Sequence, residues 1–369
     1  MTSPEGKNAA GPLNGVAVLE FSGLGPIPFA AGMLADLGAH VIHVCRRSSP
    51  PDPSDPQLRG RTVVKLDLKA QPDRQACINL ARHCDILIEG FRPGVMERLG
   101  LGPDAICAIN PALVYGRMTG WGQDGPLAPR AGHDLNYLAQ TGVLHALGPP
   151  DRPTIPLNLI GDFGGGSLFL LTGILAALHQ ARMTGKGATL DVAMVDGITM
   201  LASSIIYKQT TGQWSLNRES NYLDGGAPFY NVYRCADGKF VAVAAIEPQF
   251  YDSLRTCCGL TAPILDDPWN RGLWPEQRAE MARVFETRPR DEWVDLCASA
   301  DTCLSPVLDF EEAAAHPHGV ERHSYDRFGE GIFPAPAPRI SGSGGSALHR
   351  PTNELSAGAA LEELERLKK

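Results

Sequence analysis

The stretch Gly15-Val-Ala-Val-Leu-Glu20, a turn-rich Phe21 to Pro28, a helical pattern through Leu37-Gly38, and then Ala39-His-Val-Ile-His-Val44 decides the fold. Two apolar runs of strand length flank one helix, and so short a strand–helix–strand path is a βαβ unit with parallel strands. The alternation continues outward. Thr62 to Leu66 reads as a strand, Gln71 to His83 as a helix, Asp85 to Glu89 as a strand, Val95 to Leu99 as a short helix and Ala112 to Gly116 as a strand. Leu168 to Arg182 reads as a buried helix ended by Gly185-Lys186-Gly187, Ala188 to Met194 as a strand and Val195 to Gln209 as an apolar helix. The pattern predicts an α/β fold with a Rossmann-like parallel sheet.

From Thr210 the pattern changes. Residues 210–226 are polar and irregular and read as a linker. Residues 227–329 read as a smaller α+β domain, opened by a hairpin from Ala227 to Arg234 and Phe240 to Ala244 around an Asp237-Gly238 turn. Helices at Pro248–Gly259, Pro275–Thr287 and Asp291–Ala300 follow, then a strand from Cys303 to Leu308 and a helix capped by Asp309. Pro334 to Pro338 and Ser341 to Ser346 read as connector and Leu361 to Leu367 as a terminal helix. The large domain is therefore expected over residues 1–209, completed by 330–369.

With 369 residues, 43% apolar and 20% charged, the chain has the make-up of a globular protein with room for two cores. A net charge of −8 opposes nucleic acid as a partner, since phosphate backbones call for a basic face. No apolar signal-peptide core opens the chain and no run approaches about eighteen apolar residues, so a cytoplasmic protein with no membrane partner is expected. Nine cysteines without a Cys-x-x-Cys pair carry no zinc or dithiol signature. No metal is expected, and the thiols read as reduced core residues.

The first turn, Gly23-Leu24-Gly25-Pro26-Ile27-Pro28, has proline where a dinucleotide fingerprint needs its third glycine, and the second strand ends in Cys45-Arg46-Arg47 rather than in an acid. Both disfavour NAD. Arg46, Arg92 and Arg98 fall at or just past the carboxyl ends of strands, where open α/β sheets take ligands. Three cations there suit a ligand with phosphates, although taken singly each also reads as a solvated surface side chain.

Gly132-His133-Asp134-Leu135-Asn136-Tyr137 and Gly161-Asp162-Phe163-Gly164-Gly165-Gly166 each set one proton-transfer group at a helix start, beside glycines that let a backbone pack close. His133 and Asp162 facing one carbon from opposite sides make a two-base arrangement. His133 also reads as a satisfied histidine near a helix start, and Asp162 as a plain N-cap.

Joined to these strings are Leu19-Glu20, Gly25-Pro26, Leu34-Ala35-Asp36-Leu37-Gly38-Ala39, Phe91-Arg92-Pro93-Gly94, Gly120-Trp121-Gly122 and Gly185-Lys186-Gly187, and together residues 12 to 340 resemble the family III CoA-transferases. Leu223-Asp224-Gly225-Gly226-Ala227-Pro228-Phe229-Tyr230 and Ala245-Ile246-Glu247-Pro248-Gln249-Phe250-Tyr251 are similar to the branch of that family that racemises 2-methylacyl-CoA thioesters. The resemblance implies an isomerase acting on acyl-CoA, with no cofactor because CoA is part of the substrate. It further implies an interlocked homodimer in which the small domain of one subunit closes over the partner's site. His133 and Asp162 would be the acid–base pair, Glu247 the residue that orients His133, and Asp134 a support for the same cluster. Arg46, Arg92 and Arg98 would contact CoA phosphates or adenine, with Leu24, Leu66, Gly132 and Tyr137 lining the CoA site.

Inverting a carbon next to a thioester passes through an enolate, which needs a base on each face and donors at the thioester oxygen. The N–H groups at the start of the Asp162 helix are expected to be those donors. Ile27, His43 and Cys45 depart from the family pattern near the expected phosphates and are expected to bear on CoA affinity. The alternatives are a CoA-transferase using Asp162 as nucleophile through an anhydride, a non-catalytic acyl-CoA-binding relative, and an NADP-dependent dehydrogenase. Retention of both His133 and Glu247 favours the racemase.

Overall fold

The computed structural model describes residues 11–52, 54–329, 331–341 and 352–368. The chain forms two compact units: Met1–Thr141, Leu157–Leu201 and Pro317–Lys369 make the first, Gly142–Pro156 and Ala202–His316 the second. In the first unit lie β1 (Ala17–Phe21), β2 (His40–Cys45), β3 (Arg61–Lys65), β4 (Ile86–Glu89), β5 (Val114–Thr119) and β6 (Thr189–Ala193). They pair all-parallel in the order β3-β2-β1-β4-β5-β6, and the short Asn353–Glu354 strand joins the outer edge of β3. Strand order reverses between β1 and β4, which is where such a sheet opens a crevice at its carboxyl ends.

Ala17, Leu19 and Phe21 of β1 pack with Ile42, Leu80, Leu87 and Tyr115, the continuous apolar run that a strand covered on both faces requires. One charge is built into this core. Glu20, fully buried, is held by Arg61 Nε at 3.0 Å and lies 3.1 Å from His43 Nδ1. This corrects the reading of the three departures from the family pattern. Ile27, His43 and Cys45 are 1%, 2% and 3% exposed, so their side chains belong to the core rather than to a ligand surface. Ile27 fills the space over Gly90, where a Cβ would stand 2.9 Å from it.

Gln71–His83 forms with the expected bounds, with Asp73 in its first turn and Arg82 in its last to complement the helix dipole. The helix Pro103–Ile109 has no counterpart in the sequence reading. The helix expected over Val195–Gln209 divides into Met194–Leu201 and Ser203–Thr210, and the break at Ala202 coincides with the boundary between units. Residues 210–226 are not a free linker. The Asn221 amide bonds both the N–H and the C=O of Ser215 and also the Asp224 carboxylate, which folds the segment into the second unit.

Leu159–Thr184 is one continuous helix of 26 residues, long and apolar enough by length and composition to cross a membrane, where a shorter helix had been expected. Here it covers the sheet, with Leu170 and Ile174 over Gly116 of β5. The second unit holds an antiparallel sheet of β7 (Tyr230–Arg234), β8 (Phe240–Ala244) and β9 (Leu304–Pro306). Its core gathers Phe229, Tyr233, Tyr251, Trp274, Phe285 and Trp293. Asp309 caps Phe310–Ala315 in a reciprocal box with Glu312. Of the connector expected at Ser341 to Ser346, all but Ser341 lies outside the described residues, as do the first ten positions of the chain.

Candidate active site

At the carboxyl end of β1 the chain turns through Gly25, whose φ of 65° starts the helix Pro26–Asp36. A Cβ on Gly25 would come within 2.7 Å of Asp162 Oδ2, so the Asp162 carboxylate rests directly on this turn. Asp162 reaches it from an unusual element. It is the fourth residue of a π-helical run, Leu159–Ser167, that continues as the α-helix Leu168–Thr184. Such wide turns recur at functional sites. Glycine allows this one: a Cβ on Gly197 would stand 1.9 Å from the Gly165 carbonyl oxygen, so two backbones cross where neither carries a side chain. The Ser167 hydroxyl, fully buried, bonds the carbonyls of Pro26 at 2.8 Å and Asp162 at 3.1 Å, pinning the run to the first helix.

Asp162 is therefore not an N-cap, and its N–H is not free for a substrate. That N–H donates to Asp134 Oδ1 at 2.7 Å, and the Asp134 carboxylate also takes the Gly161 N–H. The N–H groups of Gly161 and Asp162 are therefore not available to a thioester oxygen. Burial raises the pKa of the Asp162 carboxyl, opposed by Asn158 Nδ2 at 3.2 Å and by the nearby His133. Burial likewise raises that of Asp134, against the N–H groups it accepts and reinforced by the charge of Asp162.

His133 is the N-cap of the helix Asp134–Gln140, in extended backbone, with its own N–H donating to Asn136 Oδ1 at 3.0 Å. It is exposed and near enough to lower the Asp162 pKa electrostatically, the two groups being carried on separate elements. Tyr137, 6% exposed, forms the floor. Its ring meets Trp121 edge-on at 4.7 Å, and Cβ atoms on Gly120 or Gly132 would fall 2.0 and 2.7 Å from it.

Leu24, Arg46, Leu66 and Arg92 follow β1, β2, β3 and β4, four adjacent strands, at their carboxyl ends. Leu24 is 90% exposed, a large apolar side chain standing at the mouth of the crevice. Arg47 is committed to Asp73 at 3.0 Å, while Arg46, Arg92 and Arg98 are exposed. Arg92 acts electrostatically on Tyr137. Leu66 is in the core, so only its backbone can border a ligand. Glu247 belongs to the second unit, where it is exposed at the N-cap position of Pro248–Cys258 and makes no capping bond. The sequence reading passed over Gly25 as a contact of Asp162, and also over Asn158. An Asn four residues before an Asp on one helix was a usable signal, since such residues share a face.

A parallel sheet of Rossmann order, with exposed arginines, a histidine and an aspartate in the segments around its carboxyl ends, defines an open α/β protein. Residues 13–345 match CoA-transferase family III, and the chain belongs to that family. It is 44% identical over 331 residues to the human protein named alpha-methylacyl-CoA racemase, covering 89% of this chain and 86% of the relative. It is 31% identical over 365 residues to an acetyl-CoA:oxalate CoA-transferase of Acetobacter aceti, covering 93% and 92%. The crystal structure of a CaiB/BaiF family protein from Brucella suis has the same fold, with a TM-score of 0.81 at 23% identity over 96% of this chain and all of that one.

Proposed function

We propose that this chain is an isomerase that interconverts the (R) and (S) forms of 2-methylacyl-CoA thioesters by removing and returning the α-proton. The observation that supports the reading is the electrostatic influence of the exposed His133 on the half-buried Asp162 carboxylate, which rests on the Gly25 turn after β1. One base takes the proton from one face of the α-carbon, and the conjugate acid of the other returns a proton to the opposite face. Asp134 holds the turn that carries Asp162. Arg46, Arg92 and Arg98 take CoA phosphates or adenine, and Leu24, Gly132, Tyr137 and the Leu66 backbone line the CoA site. No metal or cofactor is needed for a proton transfer of this kind. The name of the 44% identical human relative supports the racemase over a transferase, and a free anhydride-forming aspartate would have no use for His133.

The protein acts as a homodimer in which the second unit of one subunit brings Glu247 to His133 of its partner. Exposure of Leu159, Leu168, Met183, Met200 and Leu201 supports self-association, because a monomer would leave this apolar surface in water. The first unit is the CoA-binding part, the protein is cytoplasmic, and it serves lipid and fatty-acid metabolism, with branched fatty acyl, bile-acid-precursor and aryl-propionyl chains all fitting the chemistry.

The test is proton NMR of a single enantiomer of a 2-methylacyl-CoA in D₂O. Loss of the α-proton signal together with optical purity, with no acyl acceptor present, is the expected result. Transfer of CoA to an added carboxylate, with release of the 2-methyl acid and no α-proton exchange, would select the transferase.

A further inference from the structure

Arg117 of β5 stands opposite Glu89 of β4 in the sheet register, and only 8% of it is exposed. Its guanidinium is divided between two carboxylates. Nε donates to Glu89 Oε1 at 3.0 Å and Nη1 to Glu97 Oε1 at 2.8 Å. Glu89, itself buried, gives its other oxygen to the Phe91 N–H at 2.7 Å. One buried cation thus ties down both ends of segment 91–98: the turn at its start through Glu89, and the short helix Val95–Arg98 through Glu97. That segment displays Arg92 and Arg98, yet these contacts involve neither of them.

Charge adds to geometry. Glu97 adjoins Arg98 in the chain, and 45% of its side chain is exposed. An unpaired carboxylate there would compete with phosphates for the two arginines. Arg117 cancels it with a charge that does not titrate, in a planar fork that can serve two acceptors at once.

We infer that Arg117 is a positioning residue for CoA, holding Arg92 and Arg98 in place and neutralising Glu97 without touching the ligand. This rests on the acyl-CoA reading above. It is tested by calorimetry with CoA and by steady-state kinetics. Arg117→Met should weaken CoA about 10- to 100-fold, the range for losing hydrogen bonds to charged groups. KM should rise in step while kcat stays within about threefold, since the proton-transfer groups lie elsewhere. Adding Glu97→Gln to that variant should recover at least about fivefold by removing the stray charge. Glu97→Gln alone still accepts from Arg117 and should bind CoA about two- to fivefold more tightly, with steeper salt dependence. Should Arg117→Met fail to fold, the Glu97→Gln arm decides. Equal affinity of wild type and Arg117→Met, or unchanged affinity in Glu97→Gln, would overturn the inference and leave the acyl-CoA reading standing. Failure of the wild type to bind CoA would overturn both.

Discussion

Replacing Gly25 by alanine perturbs the turn and the base together, and the two effects can be separated. The backbone at φ 65° and ψ −107° lies in a region that L-residues rarely adopt, which costs about 1–3 kcal/mol. The new Cβ would lie 2.7 Å from Asp162 Oδ2, about 0.7 Å short of an ordinary 3.4 Å contact. The carboxylate must move by about that distance, and a displacement near 1 Å costs about 10²-fold in rate when a reacting group is held for attack. Gly25→Ala should therefore melt about 2–12 °C lower, at about 2–4 °C per kcal/mol, and lose about 10²-fold in α-proton exchange. Gly15→Ala is the control: its φ is 82°, with nothing within 4 Å of the added atom. It too is strained by a positive φ, and it should keep full exchange. If Gly25→Ala exchanges the α-proton within threefold of Gly15→Ala, the Asp162 carboxylate is not positioned by this turn and the reasoning fails.

His133→Ala and Asp162→Ala should each lose at least about 10²-fold in racemisation, with CoA affinity by calorimetry unchanged; full activity in either would end the two-base reading. Because burial raises the Asp162 pKa and Asn158 opposes that rise, the acidic limb of kcat/KM should lie above the usual aspartate range. Asn158→Leu removes a donor that favours the ionised form, so the limb should move to higher pH; a move to lower pH would contradict the assignment. Asp134→Ala strands the Asp162 N–H and should cost about 1.5–3 kcal/mol in denaturant unfolding, whereas Asp134→Asn, which keeps an acceptor, should cost less.

Much of the sheet was legible because β1 and β2 are written in local apolar runs and Gln71–His83 carries its own charge signals. What was not legible depends on partners distant in sequence. β5 extends to Thr119 because Arg117, a residue that argues against a buried strand, is neutralised by Glu89 and Glu97. Ile27, His43 and Cys45 looked like ligand neighbours by position but turn inward, since Glu20 supplies His43 with a buried partner. In the site, the histidine and aspartate were found from their glycine-rich surroundings. The π-helical run was not, because Gly161–Gly166 reads as an ordinary helix start until the helix Met194–Leu201 is laid across it. Glu247 was reached through resemblance alone, as nothing local to an exposed N-cap glutamate announces a distant role.

The short Asn353–Glu354 strand sets an order of events during synthesis. Beside it, the Thr352 hydroxyl bonds the Leu58 carbonyl across 294 positions, and the following helix seats Ala360 and Leu364 beside Leu80. At about 5–20 residues per second, β3 waits roughly 15–60 s on the ribosome before its outer neighbour emerges. Throughout that interval its outer edge is an open template for any other strand. The last helix is therefore a closing latch, and shortening the chain before it should penalise yield in the cell far more than the few contacts removed would suggest.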